Sequence, residues 1–523
     1  METKILSTSE RDIEPAGEII RNGGLVAFPT ETVYGLGANA LDENAVKSIY
    51  KAKGRPSDNP LIVHVAEKSD IAPLVKEITP EAQALIDAFF PAPLTVILKK
   101  SDIVPDVTSG GLDTVAVRMP ENETARRLIK AAGVPVAAPS ANTSGLPSPT
   151  KAKYVIDDMA GKIDAIIDGG DCEYGVESTV ITLASDVPTI LRPGAVTKEM
   201  LEKVIGRVEI SPAVLDSMKE GEIASSPGMK YKHYSPKAKI VIVNADRKRY
   251  EEFVNSRKDA FALCFDGDRV TIPHLTFGKE NDDLSQAKEL FDRLRRLDEM
   301  GAKKVYARIP SKSGVGMAVY NRLIRAAAFN IIDLEKPYTI GLTGQTGAGK
   351  GFVSEYLSAL GFKIIDADYY SKKLTQDNSP IFPKLQSEFG DDIVKNGVLN
   401  RKLLAKRAFA SREKTDRLNE IMHPEIKKMC RQQAEGLCVL DAPQLIEANM
   451  EDECYKLISV TAPESLRLKR IKERDNITDI EAKERIAAQH GEEYYLSRSD
   501  YTVINDGKSD IKKQIDRILE EIL

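Results

Sequence analysis

Apolar residues follow two rhythms along this chain. Continuous short runs at residues 25–28, 61–65, 94–98, 115–118 and 180–183 predict buried strands. Residues 42–53 predict a helix with Asp42 as its N-cap. Gly35 and Gly37 follow the first run and predict a glycine-bearing turn. Strands interleaved with helices point to an α/β or α+β arrangement. Farther along, residues 240–243, 261–265 and 305–309 predict three more strands. Leu284, Ala287, Leu290, Phe291, Leu294 and Leu297 recur at steps of three and four, which places one apolar face on a helix. Residues 314–328 open with glycines and then turn helical. After Pro337 the pattern restarts, with a strand at 338–343, a glycine loop and a helix that Gly361 stops.

Periodicity lapses between residues 211 and 237. Residues 225–236 (SSPGMKYKHYSP) carry Pro and Gly and predict a linker, one richer in aromatic and basic residues than a passive spacer requires. Four segments follow from this reading. They are a first α/β domain at 1–207, a linker or lid at 208–237, a smaller Rossmann-like α/β domain at 238–334, and a last α/β domain with a parallel sheet at 338–523.

Length and charge sharpen the picture. A chain of 523 residues exceeds the roughly 250–300 that one core holds, so several domains are expected. A hydrophobic share of 42% with 29% charged residues suits a folded globular chain. A net charge of −5 excludes a strongly basic nucleic-acid protein and leaves a local basic patch open. No apolar run reaches the ~20 residues of a membrane span, and the N-terminus turns charged before a signal-peptide core develops. The five cysteines never form C-x-x-C, so reduced thiols in the cytoplasm are expected, with no membrane association.

The sharpest chemical signal is Gly344-Gln-Thr-Gly-Ala-Gly-Lys350, the pattern G-x-x-x-x-G-K between a strand and a helix. Glycines let backbone N–H groups turn inward around phosphate oxygens, the helix N-terminus adds positive potential, and Lys350 adds a point charge. One position departs from the pattern. Gly351 stands where a Ser or Thr hydroxyl normally meets Mg²⁺, and Ser354, about a turn away, is a poor geometric substitute, which bears on metal positioning and phosphoryl transfer more than on phosphate binding. Downstream, Asp366 and Asp368 end one strand, Asp441 ends another, Arg467, Arg470 and Arg474 line a helix, and Asn505 and Gly507 close the region.

Together these residues resemble dephospho-coenzyme A kinase over 338–523. The resemblance implies a P-loop kinase fold and ATP-dependent 3′-phosphorylation of dephospho-coenzyme A, with Mg²⁺ as the cofactor accompanying ATP. It implies that Gly347, Ala348, Gly349, Lys350 and Gly351 cradle ATP, with Asn505 and Gly507 at the adenine. Asp368, ahead of Asp366, would take the proton of the ribose hydroxyl, Arg474 would steady the transferring charge, and Asp366 and Asp441 are the metal candidates.

The N-terminal half carries a second constellation. Thr30 to Gly37 leave a strand, and Lys51, Lys53 and Arg55, then Asn59 and His64, follow closely. Arginine forks and lysine point charges suit a polyphosphate. Arg118, Ser140, Ser148, Ser178 and Arg192 stand at strand ends and turns, where hydroxyls, cations and backbone N–H groups make a polar cup. The chemistry alone indicates an anionic ligand of nucleotide size.

These segments resemble the YrdC-like threonylcarbamoyl-AMP synthases, and residues 226–236 and 314–328 resemble the linker and second domain of the long form of that family. The resemblance implies that L-threonine, bicarbonate and ATP give threonylcarbamoyl-adenylate and pyrophosphate, which downstream proteins use to modify tRNA beside the anticodon. It implies that Thr32, His64, Arg118 and Ser178 hold threonine. Arg55, Asn59, Ser140, Ser148, Arg192 and Tyr234 would hold ATP, Lys51 and Lys53 would offset phosphate charge, and Lys230 and Lys232 would equip the lid. The expectation is a bifunctional enzyme. Two other readings are an active synthase whose kinase domain is reduced by Gly351 to a nucleotide-binding regulatory module, and an RNA-binding N-terminal half.

Overall fold

The computed structural model describes residues 2–57, 59–214, 234–257 and 259–522. They fall into two compact units, Met1–Val243 with Tyr250–Ile331, and Asn244–Arg249 with Ile332–Leu523. Among the described residues no helix is long and apolar enough to cross a membrane.

The first unit contains two sheets. The larger has eleven strands, mixed parallel and antiparallel, and runs from Lys4–Leu6 to Glu209–Ile210. Its last strand pairs with Thr189–Arg192, so the sheet continues a little past residue 207. Helix Glu43–Lys53 is capped as its sequence predicts: the Asp42 carboxylate accepts from Asn44 N–H at 2.8 Å and Ala45 N–H at 3.3 Å, and Gly54 ends it in the left-handed region. The turn expected at Gly35–Gly37 is instead the strand Gly35–Asn39, antiparallel to Val26–Phe28. Glycine is there to make room. A Cβ on Gly37 would lie 2.8 Å from the Phe28 ring and 2.9 Å from Val136 Cγ1, so the strand closes over an aromatic ring rather than bending away from it.

The smaller sheet of this unit is parallel over His274–Lys279, Phe261–Asp266, Lys304–Arg308 and Lys239–Asn244, in that spatial order. Helix Asp283–Glu299 buries Ala287, Leu290, Phe291, Leu294 and Leu297 as the periodicity predicts. Leu284, in its first turn, is exposed. Residues 215–233, with Lys230 and Lys232, lie outside the described residues.

The second unit is built on a five-stranded parallel sheet in the order Lys363–Asp366, Cys438–Asp441, Tyr338–Thr343, Cys454–Thr461, Tyr501–Ile504. Every residue of Tyr338–Thr343 is buried, as a central strand of an all-parallel sheet requires. Asp366 and Asp441 stand in register on neighbouring strands, at the sheet end from which the glycine loop departs. All five cysteines are free and buried.

Candidate active sites

A cleft opens in the first unit. Thr30, Arg55, His64, Arg118, Ser140, Ser148, Arg192 and Tyr234 line it, brought together from over 200 residues of chain. Strand ends do this work. His64 and Arg118 are register partners at the ends of parallel strands Ile62–His64 and Thr114–Arg118. His64 is buried, and desolvation, reinforced by the Arg118 charge, pushes its pKa down to about 3, so the ring is neutral. Arg118 Nη2 donates to Glu31 Oε1 at 2.5 Å and to Thr32 Oγ1 at 3.0 Å, while its buried Nε has no partner among the described residues.

The opposite end is a network around Ser178. Arg192 Nε donates to Ser178 O at 3.0 Å and Nη2 to Ser178 Oγ at 3.1 Å, and that hydroxyl lies 2.8 Å from Thr95 Oγ1. Burial brings Arg192 down to about 10. Ser148 Oγ donates to Glu177 Oε1 at 2.6 Å. Tyr234 holds a positive φ of 60° and packs on Phe291, with ring centroids 5.1 Å apart. The next residue, Ser235, donates its N–H to Gly145 O at 2.9 Å.

Thr32 and Ser178 sit one layer behind the cleft wall, through Arg118 and Arg192. Both amide atoms of buried Asn59 have no partner among the described residues, a polar group left for a ligand or water. Lys53 points inward. Its ammonium donates to the carbonyls of Ser140 and Asn142, and burial lowers its pKa well below the usual lysine range. It fixes the loop that carries Ser140. Lys51, two residues earlier, is exposed and outside the cleft lining. Glu31, Thr95 and Glu177 escaped sequence reasoning because single acids and hydroxyls at strand ends carry no signal without their partners.

The second cleft lies over the glycine loop and is lined by Gly347, Gly349, Lys350, Gly351, Asp368, Arg470, Arg474 and Asn505 among others. Gly347 and Gly349 hold φ of 82° and 96°, left-handed conformations that glycine takes without a Cβ penalty. Lys350 Nζ lies 3.8 Å from Asp441 Oδ1, and Ser354 Oγ donates to Asp441 Oδ2 at 2.5 Å. Burial raises the pKa of Asp441, against the pull of Lys350. Asp368 is raised by burial and by the neighbouring Asp366 charge, which makes it a better proton acceptor than an ordinary carboxylate.

Arg470 and Asn505 brace the loop itself, so the Asn505 amide, expected at the adenine, is spent on the loop backbone and Arg470. Arg470 Nη1 lies 3.2 Å from Gly347 O, its Nη2 donates to Asn505 Oδ1 at 2.9 Å, and Asn505 Nδ2 donates to Ala348 O at 2.8 Å. Gln489 Oε1 accepts the N–H of Thr346 at 2.8 Å. Arg474 pairs with Asp475 at 2.8 Å, and Gly507 lies outside the lining.

Comparison with known proteins divides the chain in the same way. Residues 18–194 match the family described as telomere recombination, which gathers the Sua5, YciO and YrdC proteins. Residues 196–328 match the C-terminal domain of threonylcarbamoyl-AMP synthase, and residues 338–510 match dephospho-CoA kinase. The threonylcarbamoyl-AMP synthase of Pyrococcus abyssi is 47% identical over 345 residues, which cover 63% of this chain and 99% of that one. The crystal structure of the P. abyssi Sua5 complexed with L-threonine has a TM-score of 0.61 and 47% identity, over 64% of this chain and all of that chain. The dephospho-CoA kinase of Corynebacterium efficiens is 35% identical over 193 residues, covering 35% of this chain and 96% of the relative.

Proposed function

We infer that this chain, which belongs to the threonylcarbamoyl-AMP synthase family over its first two thirds and to the dephospho-CoA kinase family over its last third, catalyses both reactions from separate sites. The observation that carries the first half is the convergence of Thr30, His64, Arg118, Ser140, Ser148, Arg192 and Tyr234 on one cleft. That cleft pairs two buried arginines with a neutral imidazole. Such a set suits a zwitterionic amino acid at the Arg118 end and a triphosphate at the Arg192 and Arg55 end.

In this reading the amine of threonine takes up bicarbonate, with loss of water, to give a carbamate. A carbamate oxygen then attacks the α-phosphorus of ATP, forming the adenylate as pyrophosphate leaves. No side chain forms a bond. Arg118 orients the carboxylate and Arg192 and Arg55 offset phosphate charge, so the protein acts by positioning and charge stabilisation. The P. abyssi structure with L-threonine supports the identity of the amino acid. The adenylate is consumed by other proteins that modify tRNA.

In the second site the loop N–H groups and Lys350 grip ATP, and Asp368 takes the proton of the ribose 3′-hydroxyl as that oxygen attacks the γ-phosphorus and ADP leaves. Mg²⁺ keeps most of its water and needs only one or two carboxylates beside the phosphates. Asp441, beside Lys350 and Ser354, would supply that carboxylate, whereas Asp366, expected to share the task, caps helix Ala367–Leu374 by accepting the N–H groups of Asp368 and Tyr369. Bound with ATP, the ion supplies charge neutralisation. Ser354, hydrogen-bonded to Asp441, favours an active kinase over an inert nucleotide-binding module despite Gly351.

The test is one purified chain assayed for both products. Adenylate that requires threonine and bicarbonate, together with coenzyme A formed from its precursor, is expected. Coenzyme A formation no faster than in Lys350→Ala would leave the module reading standing.

A further inference from the structure

The second lobe of the first unit reaches into the synthase site through one residue. Arg322, on helix Gly316–Ala326, has no solvent exposure. Its Nε donates to Glu177 Oε2 at 2.9 Å, Nη2 to Glu177 O at 3.3 Å and Nη1 to Pro193 O at 2.5 Å. These partners immediately precede Ser178 and follow Arg192. The turn after Arg192 already presses on the strand that follows Ser178, since a Cβ on Gly194 would fall 2.4 Å from Thr179 N. Neighbouring Asn321 and Arg325 hold the turn that follows strand Glu209–Ile210, donating to Val214 O and Ala213 O.

Glu177 lines the cleft where an anionic ligand is expected, an unfavourable place for a carboxylate. Arg322 meets that charge from behind, and Ser148 from the side. We propose that Arg322 is a positioning residue of the synthase site, supplied by the second lobe, which masks Glu177 and staples the 177–178 and 192–193 backbone so that Arg192, braced on Ser178 behind it, faces ATP. The proposal rests on the synthase reading above and deepens it: the first domain of this chain is an incomplete site without helix Gly316–Ala326. It also gives a role to the polar residues of a segment that otherwise reads as an ordinary core helix.

Pyrophosphate release that depends on threonine is measured in the full chain for Arg322→Met, Glu177→Gln and the double variant. In Arg322→Met the unmasked carboxylate repels the triphosphate, and the KM for ATP is expected to rise about tenfold or more. Adding Glu177→Gln should recover most of that loss, because the charge that Arg322 masks is then gone. A purely structural role would lower the thermal midpoint without this recovery. Should Arg322→Met fail to fold, Arg322→Lys keeps the charge but cannot make all three contacts, and a raised KM for ATP is again expected. Unchanged KM in the folded Arg322 variants, or no recovery in the double variant, overturns the proposal. A wild-type chain that releases no threonine-dependent pyrophosphate overturns the synthase reading itself.

Discussion

His64 shows how a single side chain ties chemistry to stability. Its folded pKa, about 3, lies below the 6.5 of an unfolded histidine. The unfolded chain therefore binds a proton first as pH falls, and stability present above pH 6.5 is lost on the way down towards pH 3. One proton corresponds to ~1.4 kcal/mol per pH unit. Urea melts of the wild type should weaken between pH 6.5 and 5 more steeply than those of His64→Gln. Equal slopes would mean that the imidazole is not held neutral. At the other site, Ser354→Ala removes a hydroxyl bonded to a carboxylate and is expected to slow coenzyme A formation about tenfold. Gly351→Ser should recover part of that loss, because a Cβ at Gly351 meets no atom within 4 Å. A Ser354→Ala enzyme as fast as wild type would remove Ser354 from the account.

Elements explain which parts of the molecule were legible. The glycine loop could be read because strand, loop and helix are contiguous, and its φ angles and cleft follow directly. Helix Glu43–Lys53 was equally plain, since its cap is local. Strand Gly35–Asn39 was hidden, because its glycines answer to the Phe28 ring across the sheet rather than to a bend. Gly37→Ala should therefore destabilise the first unit by about 1–3 kcal/mol through overpacking. Thermal unfolding of the variant checks this, and an unchanged midpoint would contradict it. Lys53 was legible as a cation near the site but not as a brace, since the carbonyls it binds lie almost ninety residues away. The ion pairs of Glu31 with Arg118 and Glu177 with Arg322 are likewise long-range, and nothing in sequence spacing announces them.

At the scale of the molecule, two units each carry a cleft suited to a triphosphate, with no group shared between the two sets of residues described. The chemistry offers no intermediate to pass from one to the other. The two activities should therefore be separable by single substitutions. Arg192→Met removes the cation that holds Ser178, and Lys350→Ala removes the point charge of the glycine loop. The most direct measurement quantifies both products by mass spectrometry in one reaction containing ATP, threonine, bicarbonate and dephospho-coenzyme A. Lys350→Ala should still form the adenylate at the wild-type rate while coenzyme A disappears, and Arg192→Met should do the reverse. Loss of both products in either variant, or a wild-type chain that yields only one of them, would contradict the account.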